Sequence, residues 1–115
     1  MINMKDRIPV CPHGSSEDID RDLILALERL ERESGLTLKF SSGLRCDDCN
    51  AVAAGVKNSA HLRGKAVDIR IGDSVMRWKV LSSAVNIGFR RVGIGKTFIH
   101  LDLDLNLPQD VVWLY

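Results

Sequence analysis

The stretch TFIHLDLDL, residues 97–105, has a polar side chain at every second position from His100 onward. Successive side chains of a β-strand point to opposite faces of the sheet. One face of this strand would be apolar, formed by Ile99, Leu101, Leu103 and Leu105. The other would carry Phe98, His100, Asp102 and Asp104, and we expect Asp104 to be exposed. The stretch predicts a strand with one side in the core and one side rich in potential metal ligands.

A second strand is predicted at residues 66–71, with an apolar side formed by Val67, Ile69 and Ile71. Asp68 lies on the opposite side. An acid in an apolar run must be paired, hydrogen-bonded or bound to a metal, because desolvating a lone carboxylate is costly. If the two strands are neighbours, Asp68 and His100 can converge, and His61 in the preceding loop can reach back over them. Such a ligand set suits Zn²⁺ and leaves a fourth position for water; hydrogen-bonded or solvated side chains are the plainer alternative.

Composition and charge are those of an ordinary globular domain. The 115 residues are 45% hydrophobic and 27% charged, with a formal net charge of +1. The 16 Lys and Arg residues are spread among 15 acids, which argues against nucleic-acid binding. No apolar run approaches the roughly 20 residues of a membrane helix, and MINMKDRIPV lacks the apolar core of a secretory signal. We expect one domain over residues 1–115, made in the cytoplasm, monomeric and without membrane contact.

The pattern along the chain predicts an α+β domain. Residues 1–14 read as an irregular lead-in, and Ser15 to Asp18 resemble a helix N-terminus. Helices are predicted from Ile19 to a stop at Gly35, over residues 47–57, and over residues 73–85 with Ser74 as a cap. The last helix has five predicted core positions: Val75, Trp78, Val80, Leu81 and Ala84. Short strands are predicted at residues 36–40, 66–71, 89–94, 97–103 and 111–115. This order favours a small, mainly antiparallel sheet with helices packed on one side.

Cysteine spacing raises a second possible metal site. Cys11-x-His13 and Cys46-x-x-Cys49 together supply four soft ligands. Three cysteines cannot form a complete disulfide framework. Two alternatives stay open: the thiols are reduced and partly packed under the loop, or the four side chains hold a structural zinc that ties the lead-in to the loop.

Two parts of the sequence together resemble a known family. Ser59-x-His61-x-x-Gly64-x-Ala66-x-Asp68, followed by His100-x-Asp102, resembles the signature of the zinc D-alanyl-D-alanine carboxypeptidase and hedgehog-type peptidase family. The stretch SGLRCDDCNAVAAGVKNSAHLRGKAVDI, residues 42–69, resembles the family segment in which Ser-Gly-aromatic-Arg precedes an Asn. GIGKTFIHLDL, residues 93–103, resembles the strand that bears the last ligand. The likeness extends over residues 15–105.

The resemblance implies a hedgehog/DD-peptidase-like fold and one Zn²⁺ per chain, held by His61, Asp68 and His100. It implies that Arg45 binds the substrate carbonyl or the developing oxyanion, a role that suits a fixed guanidinium. A plainer reading makes Arg45 a loop arginine in a surface ion pair. Two further residues are assigned to substrate binding or loop shaping: Ser59 and Asn50.

One position departs from the family pattern. Several relatives carry an acidic general base three residues before the last zinc histidine, where this chain has Thr97. Asp102, two residues after His100 on the same strand face, is the best substitute as a catalytic base. The competing interpretation is that Asp102 accepts a hydrogen bond from a ligand imidazole and orients it, a common use of a carboxylate near zinc.

The predicted function is zinc-dependent hydrolysis of peptidoglycan stem peptides, at a D-Ala-D-Ala bond or another bond that involves a D-residue. The partner would be the stem peptide, and action on the cell wall would need an exit route such as phage or prophage lysis. The alternative is a non-catalytic zinc-containing module that binds cell wall or serves phage assembly. Thr97 favours this alternative.

Overall fold

A computed structural model describes residues 3–46 and 59–115 of the chain. Three α-helices lie in these ranges: α1, Met4–Arg7; α2, Arg21–Ser34; and α3, Ser74–Ile87. Five strands accompany them: β1, Phe40–Ser42; β2, Ala66–Arg70; β3, Arg91–Ile94; β4, Phe98–Asp102; and β5, Val111–Leu114. Two 3-10 turns are present, at Ser16–Asp18 and Ala60–Arg63. The helix predicted at residues 47–57 lies outside the described residues.

The five strands form one sheet in the order β1-β2-β4-β3-β5. Neighbouring strands pair antiparallel except β3 and β5, which are parallel. The predicted α+β fold with a small, mainly antiparallel sheet is confirmed. The strand predicted at residues 36–40 is wrong in its bounds, because pairing with β2 begins only at Phe40.

The helix α2 forms where the apolar spacing predicts it. Leu23, Leu27 and Leu30 are fully buried and form its core stripe. Asp20 caps the first turn by accepting a hydrogen bond from Leu23 N at 3.1 Å. Gly35 ends the helix at φ +72°. The capping pattern predicted at Ser15 to Asp18 instead closes the preceding 3-10 turn, so α2 begins later than the sequence suggests.

The helix α3 is rotated relative to the prediction. Its cap is Asp73, which accepts from Met76 N at 2.8 Å, and Ser74 is the first helical residue. Val80 and Ala84 are fully buried, whereas Trp78 is 70% exposed. The predicted core positions of Trp78 and Val75 are therefore wrong. Val80 and Ala84, four residues apart, define the buried face, and a residue two positions before Val80 points about 200° away from it.

The core lies between the helices and one face of the sheet. Its fully buried sheet residues come from β2 and β4: Val67, Ile69, Ile99 and Leu101. They pack in one cluster with the apolar residues of α2 and α3. Because strand side chains alternate, Asp68, His100 and Asp102 belong to the opposite face. No helix in residues 3–46 and 59–115 is long and apolar enough to cross a membrane.

The N-terminal segment is more ordered than predicted. Its first turn is α1, and Met4 and Ile8 are buried in the core. Val10 forms a parallel bridge with Leu44, in the segment that follows β1. The expectation of a wholly irregular lead-in is therefore wrong, because two apolar side chains anchor it.

Candidate metal centre

Asp68 and His100 face each other across β2 and β4. The antiparallel register pairs them directly, and Asp68 Oδ1 lies 3.0 Å from His100 Nδ1. Both side chains project from the sheet face opposite the core, as the alternation in each strand requires. The structure therefore brings together the two residues whose convergence the sequence predicted.

His61 lies in the 3-10 turn that leads into β2. Ser59 caps this turn by accepting a hydrogen bond from His61 N at 3.2 Å. Of the two roles considered for Ser59, substrate binding and loop shaping, this contact corresponds to loop shaping. Gly64 ends the turn at φ +67°, and a Cβ there would lie 2.3 Å from the Asp18 carbonyl oxygen. Only glycine satisfies both conditions. The turn holds His61 Nε2 3.3 Å from Asp68 Oδ1.

The three side chains form a cluster that could hold a metal ion. One donor atom from each of His61, Asp68 and His100 can be chosen so that all lie within 4.8 Å of one another. The two imidazole rings meet edge to face, with centroids 5.0 Å apart, and both are buried. Two imidazole nitrogens and one carboxylate oxygen are the donor types of catalytic zinc sites. The donor set therefore fits a zinc ion.

Each imidazole is held in place by its nitrogen on the far side from Asp68. His61 Nδ1 lies 2.6 Å from the Gly43 carbonyl oxygen. Since a carbonyl can only accept, His61 donates from Nδ1, and its Nε2 faces Asp68 with a lone pair when the ring is neutral. His100 Nε2 lies 2.7 Å from Asp102 Oδ2, and its Nδ1 faces Asp68. Hydrogen bonds of this kind fix the tautomer and orientation of metal-binding histidines.

Electrostatics in the cluster favour a positive charge between its members. Burial alone would raise the pKa of Asp68, but hydrogen bonds with His100 and His61 outweigh it and hold that pKa well below its usual range. Burial likewise opposes protonation of His100, yet hydrogen bonds to Asp102 and Asp68 raise its pKa. Protons and metal cations would therefore compete for the same place.

Asp102 is fully buried, and both of its oxygens are engaged. Oδ2 faces His100, while Oδ1 accepts from Arg91 Nε at 2.8 Å and from Asp104 N at 3.1 Å. Arg91 is fixed in turn by the Pro108 carbonyl at 2.6 Å. Asp102 thus lies on the side of His100 away from Asp68, within a network of donors.

Asp104 does not behave as expected. It is fully buried, and its carboxylate pairs with Arg63, from the turn that carries His61. The expectation that Asp104 is exposed is wrong, because its carboxylate has partners within the fold: Arg63 and, at 3.0 Å, the N–H of Asn106. The Arg63 pair joins the end of β4 to the His61 turn.

An aromatic wall, Trp113 and Tyr115, borders the cluster. Gly93 pairs with His100 on one side and with Trp113 on the other, and the Trp113 ring lies 5.3 Å from that of His100. A Cβ at Gly93 would lie 2.6 Å from Trp113 Nε1, so glycine lets the indole cover the sheet. The sequence left open whether these aromatic residues pack or are exposed. The wall is partly open, with Tyr115 64% exposed.

Arg45 is joined to the centre through the backbone. Its N–H donates to the His61 carbonyl at 3.1 Å, and its Nε is buried without a hydrogen-bond partner among the described residues. Partial burial raises the pKa of Tyr115 and outweighs a hydrogen bond with Trp113, which lowers it. The charges of Asp68 and Asp102 add to this rise, and Arg45 opposes it.

A second cluster forms where the cysteine spacing suggested one. Donor atoms of Cys11, His13 and Cys46 also lie within 4.8 Å of one another, and Cys46 Sγ is 3.4 Å from His13 Nδ1. The two cysteines are partly buried and His13 is exposed. Cys49 and Asn50, named as candidates from the sequence, lie outside the described residues.

Comparison with protein families identifies the chain. A sequence model of the Peptidase M15 family matches residues 6–102, which include His61, Asp68, His100 and Arg45. The chain belongs to the Peptidase M15 family. The resemblance to zinc D-alanyl-D-alanine carboxypeptidases is thereby confirmed at the level of the family, and the M15 chain is assigned to the zinc-dependent metallopeptidases. No individual curated protein matches it significantly.

Proposed function

We propose that this M15 chain is a zinc peptidase that hydrolyses peptidoglycan stem peptides, at a D-Ala-D-Ala bond or another bond involving a D-residue. Family membership supports the metallopeptidase chemistry. The observation that carries the proposal is the cluster of His61, Asp68 and His100, whose two imidazoles are buried and already have their outer nitrogens hydrogen-bonded.

In this proposal His61 Nε2, Asp68 and His100 Nδ1 hold the zinc. When bound, Zn²⁺ supplies Lewis-acid chemistry, which acidifies water and polarises the scissile carbonyl. The Gly43 carbonyl and Asp102 keep the imidazoles in the tautomers that direct Nε2 of His61 and Nδ1 of His100 toward Asp68. These contacts reduce the entropy that the rings lose when the ion binds.

Asp102 is then a positioning residue rather than the general base. It lies beyond His100 from the other two ligands, and its oxygens are occupied by His100, Arg91 and the Asp104 N–H. A general base must reach the proton that it removes directly or through one water. A buried carboxylate behind the ligand ring is poorly placed for this and well placed to orient it.

Arg45 and the aromatic wall would contact the substrate. A guanidinium beside the scissile carbonyl stabilises the negative charge that develops in the transition state. Its Nε, which is buried and has no hydrogen-bond partner among the described residues, supports this role for Arg45. Trp113 and Tyr115 offer flat apolar surface to the methyl groups and backbone of a short alanine-containing peptide.

The proposal is tested by incubating the zinc-loaded protein with purified peptidoglycan and with a synthetic stem peptide that ends in D-Ala-D-Ala. Mass spectrometry should detect released D-alanine or new amino termini. Chelation should abolish the release and added zinc should restore it. His100→Ala should lose the activity, while Asp110→Asn, at an exposed carboxylate, should keep it. Equal product release by wild type and His100→Ala would refute the proposal.

A second candidate is a zinc-containing module that binds cell-wall peptide without cleaving it. Two observations favour it: Thr97 stands where relatives carry an acidic base, and Asp102 is fully occupied by its neighbours. In that case zinc-dependent binding of the stem peptide would be measurable by calorimetry, and no new termini would form over prolonged incubation. Product formation that depends on zinc and on His100 would exclude this candidate.

A further inference from the structure

We propose that Cys11, His13 and Cys46 form a second, structural zinc site, separate from the centre at His61. Their donor atoms lie within 4.8 Å of one another, and this cluster shares no residue with the first. The sulfur of Cys46 and Nδ1 of His13 are already 3.4 Å apart. A single ion could therefore be bound with little rearrangement of the three side chains.

The chemistry of the donors distinguishes the two sites. Two thiolates and one imidazole are the soft donors that structural zinc uses, and they supply three of its usual four ligands, whereas the other centre has no sulfur. Cys11 and Cys46 are partly buried, and His13 is exposed at the rim. Zinc affinity would be greatest for reduced protein at neutral or higher pH, because the thiols must lose their protons.

The location of the cluster suggests what the ion would stabilise. Cys11 N donates to the Leu44 carbonyl at 3.1 Å, and Leu44 N donates to the Pro9 carbonyl at 3.0 Å. The N-terminal segment is thus laid along the stretch between β1 and the His61 turn. An ion bound by Cys11, His13 and Cys46 would fasten these two segments by metal ligation in addition to two backbone hydrogen bonds.

The fastened stretch is also the one that supports the first centre. Its Gly43 carbonyl contacts His61 Nδ1 at 2.6 Å, and the N–H of Arg45 donates to the His61 carbonyl at 3.1 Å. Cys46 follows Arg45 directly in the chain. The structural ion would therefore hold Gly43 and Arg45 in register with His61, so that the two metal sites are mechanically connected while remaining chemically distinct.

Cobalt substitution tests the proposal without relying on activity. Reduced, metal-free protein is titrated with Co²⁺, and absorption is followed in the near ultraviolet, where thiolate-to-cobalt charge transfer occurs. We expect the wild type and His100→Ala to show this band and the Cys11→Ser/Cys46→Ser double variant to lack it. Only sulfur ligands produce this band, so its loss in the double variant would place the bound Co²⁺ at Cys11 and Cys46. Zinc analysis should find a second equivalent of zinc per chain in the wild type. His100→Ala should retain this equivalent, because it is bound at the cysteine cluster.

His13→Ala guards against misfolding of the double variant, because the His13 side chain is exposed. It should keep the secondary structure and bind the second zinc at least tenfold more weakly in competition with a chromophoric chelator. Absence of the charge-transfer band in reduced wild type would overturn the proposal. So would a thiol count on denatured protein showing that Cys11 and Cys46 form a disulfide that persists under mild reduction.

Discussion

His100 has a carboxylate at each ring nitrogen, and this arrangement shows what a single residue position decides. Its Nδ1 faces Asp68 and its Nε2 faces Asp102. The sequence predicted that His100 and Asp102 share one face of a strand, because alternation is a property of the backbone. It could not predict which nitrogen each acid would face, because that depends on the ring rotamer and on Arg91, which holds Asp102 from the other side.

The first prediction concerns Asp102. We expect Asp102→Asn to weaken zinc binding by about 10- to 100-fold, since loss of an outer partner of a ligand histidine typically has this effect. Turnover should recover to near the wild-type rate when zinc is raised to saturation. Zinc competition with a chromophoric chelator and peptide hydrolysis would be measured together.

Asp110→Asn is the matched control, because Asp110 also pairs with an arginine but lies on the surface. It should change neither the zinc affinity nor the rate of peptide hydrolysis. If Asp102→Asn instead bound zinc normally and stayed inactive at every zinc concentration, Asp102 would be the general base.

At the scale of elements, the pairing of β5 beside β3 completes the site. Asp68, His100, Gly93 and Trp113 occupy one row across four strands. The sequence predicted a strand near residues 111–115 but not its neighbour. A parallel partner is reached by a crossing connection whose course local pattern does not specify, so the contact of Trp113 with His100 could not be foreseen.

The second prediction tests this row. In Gly93→Ala the new methyl group would meet Trp113 Nε1 at 2.6 Å and displace the indole. We expect KM for the stem peptide to rise on the order of tenfold, equivalent to about 1.4 kcal/mol of binding, with zinc stoichiometry unchanged. Gly72→Ala, where a methyl group meets none of the described residues within 4 Å, should behave as wild type in the same assay. Unchanged KM in Gly93→Ala would show that the wall does not contact the substrate.

The third prediction concerns the ion pair that joins α1 to α2. Arg7 contacts both oxygens of Glu31, at 2.9 and 2.7 Å, and Glu31 also accepts from Leu38 N at 2.7 Å. The Arg7 hydrogen bonds lower the pKa of Glu31 and outweigh its partial burial; the Leu38 N–H contributes in the same direction. Because the folded state lowers this pKa, the stabilisation is present above the unfolded pKa, near 4.3, and is lost as pH falls through the folded value.

We therefore expect Glu31→Gln to lower the free energy of unfolding by about 1–2 kcal/mol at neutral pH. The difference from wild type should shrink as the pH is lowered. Urea denaturation of both proteins at a series of pH values measures this difference in the free energy of unfolding. Glu33→Gln, which breaks a more exposed pair with Arg29, should cost less than about 0.5 kcal/mol. If the loss of unfolding free energy in Glu31→Gln grew as the pH was lowered, the Arg7–Glu31 pair would not be its cause.

At the scale of the whole molecule, one sheet separates the core from the candidate metal centre. What the sequence predicted well from local periodicity is α2, β2 and β4, whereas the prediction that His61, Asp68 and His100 meet rests on the family resemblance. What it missed depends on contacts between distant segments. Asp104 is buried because Arg63, 41 residues earlier, pairs with it, and Trp78 is exposed because packing of Val80 and Ala84 sets the rotation of α3.

The fourth prediction concerns the thermal stability of the whole domain. Zinc held by His61, Asp68 and His100 would link the His61 turn to β2 and β4, so binding should stabilise the fold. At a free zinc concentration 100-fold above Kd the gain is about 2.7 kcal/mol, which corresponds to a rise in Tm of roughly 10 °C or more. Thermal denaturation of metal-free and zinc-loaded protein measures the shift.

His61→Ala should show a smaller zinc-induced shift than wild type, and the shift is compared rather than the Tm because the substitution itself can lower stability. Equal shifts in the two proteins would mean that zinc does not stabilise through His61.

The two faces of β4 share one backbone, and this limits how the segment can change. Ile99 and Leu101 fill the interior while His100 and Asp102 serve the opposite side. Insertion or loss of a single residue at the start of the strand would exchange the sides, burying a histidine among leucines and offering methyl groups to the cation. A single substitution here alters one side of the strand, whereas a change of length would remove the hydrophobic interior and the ligands together.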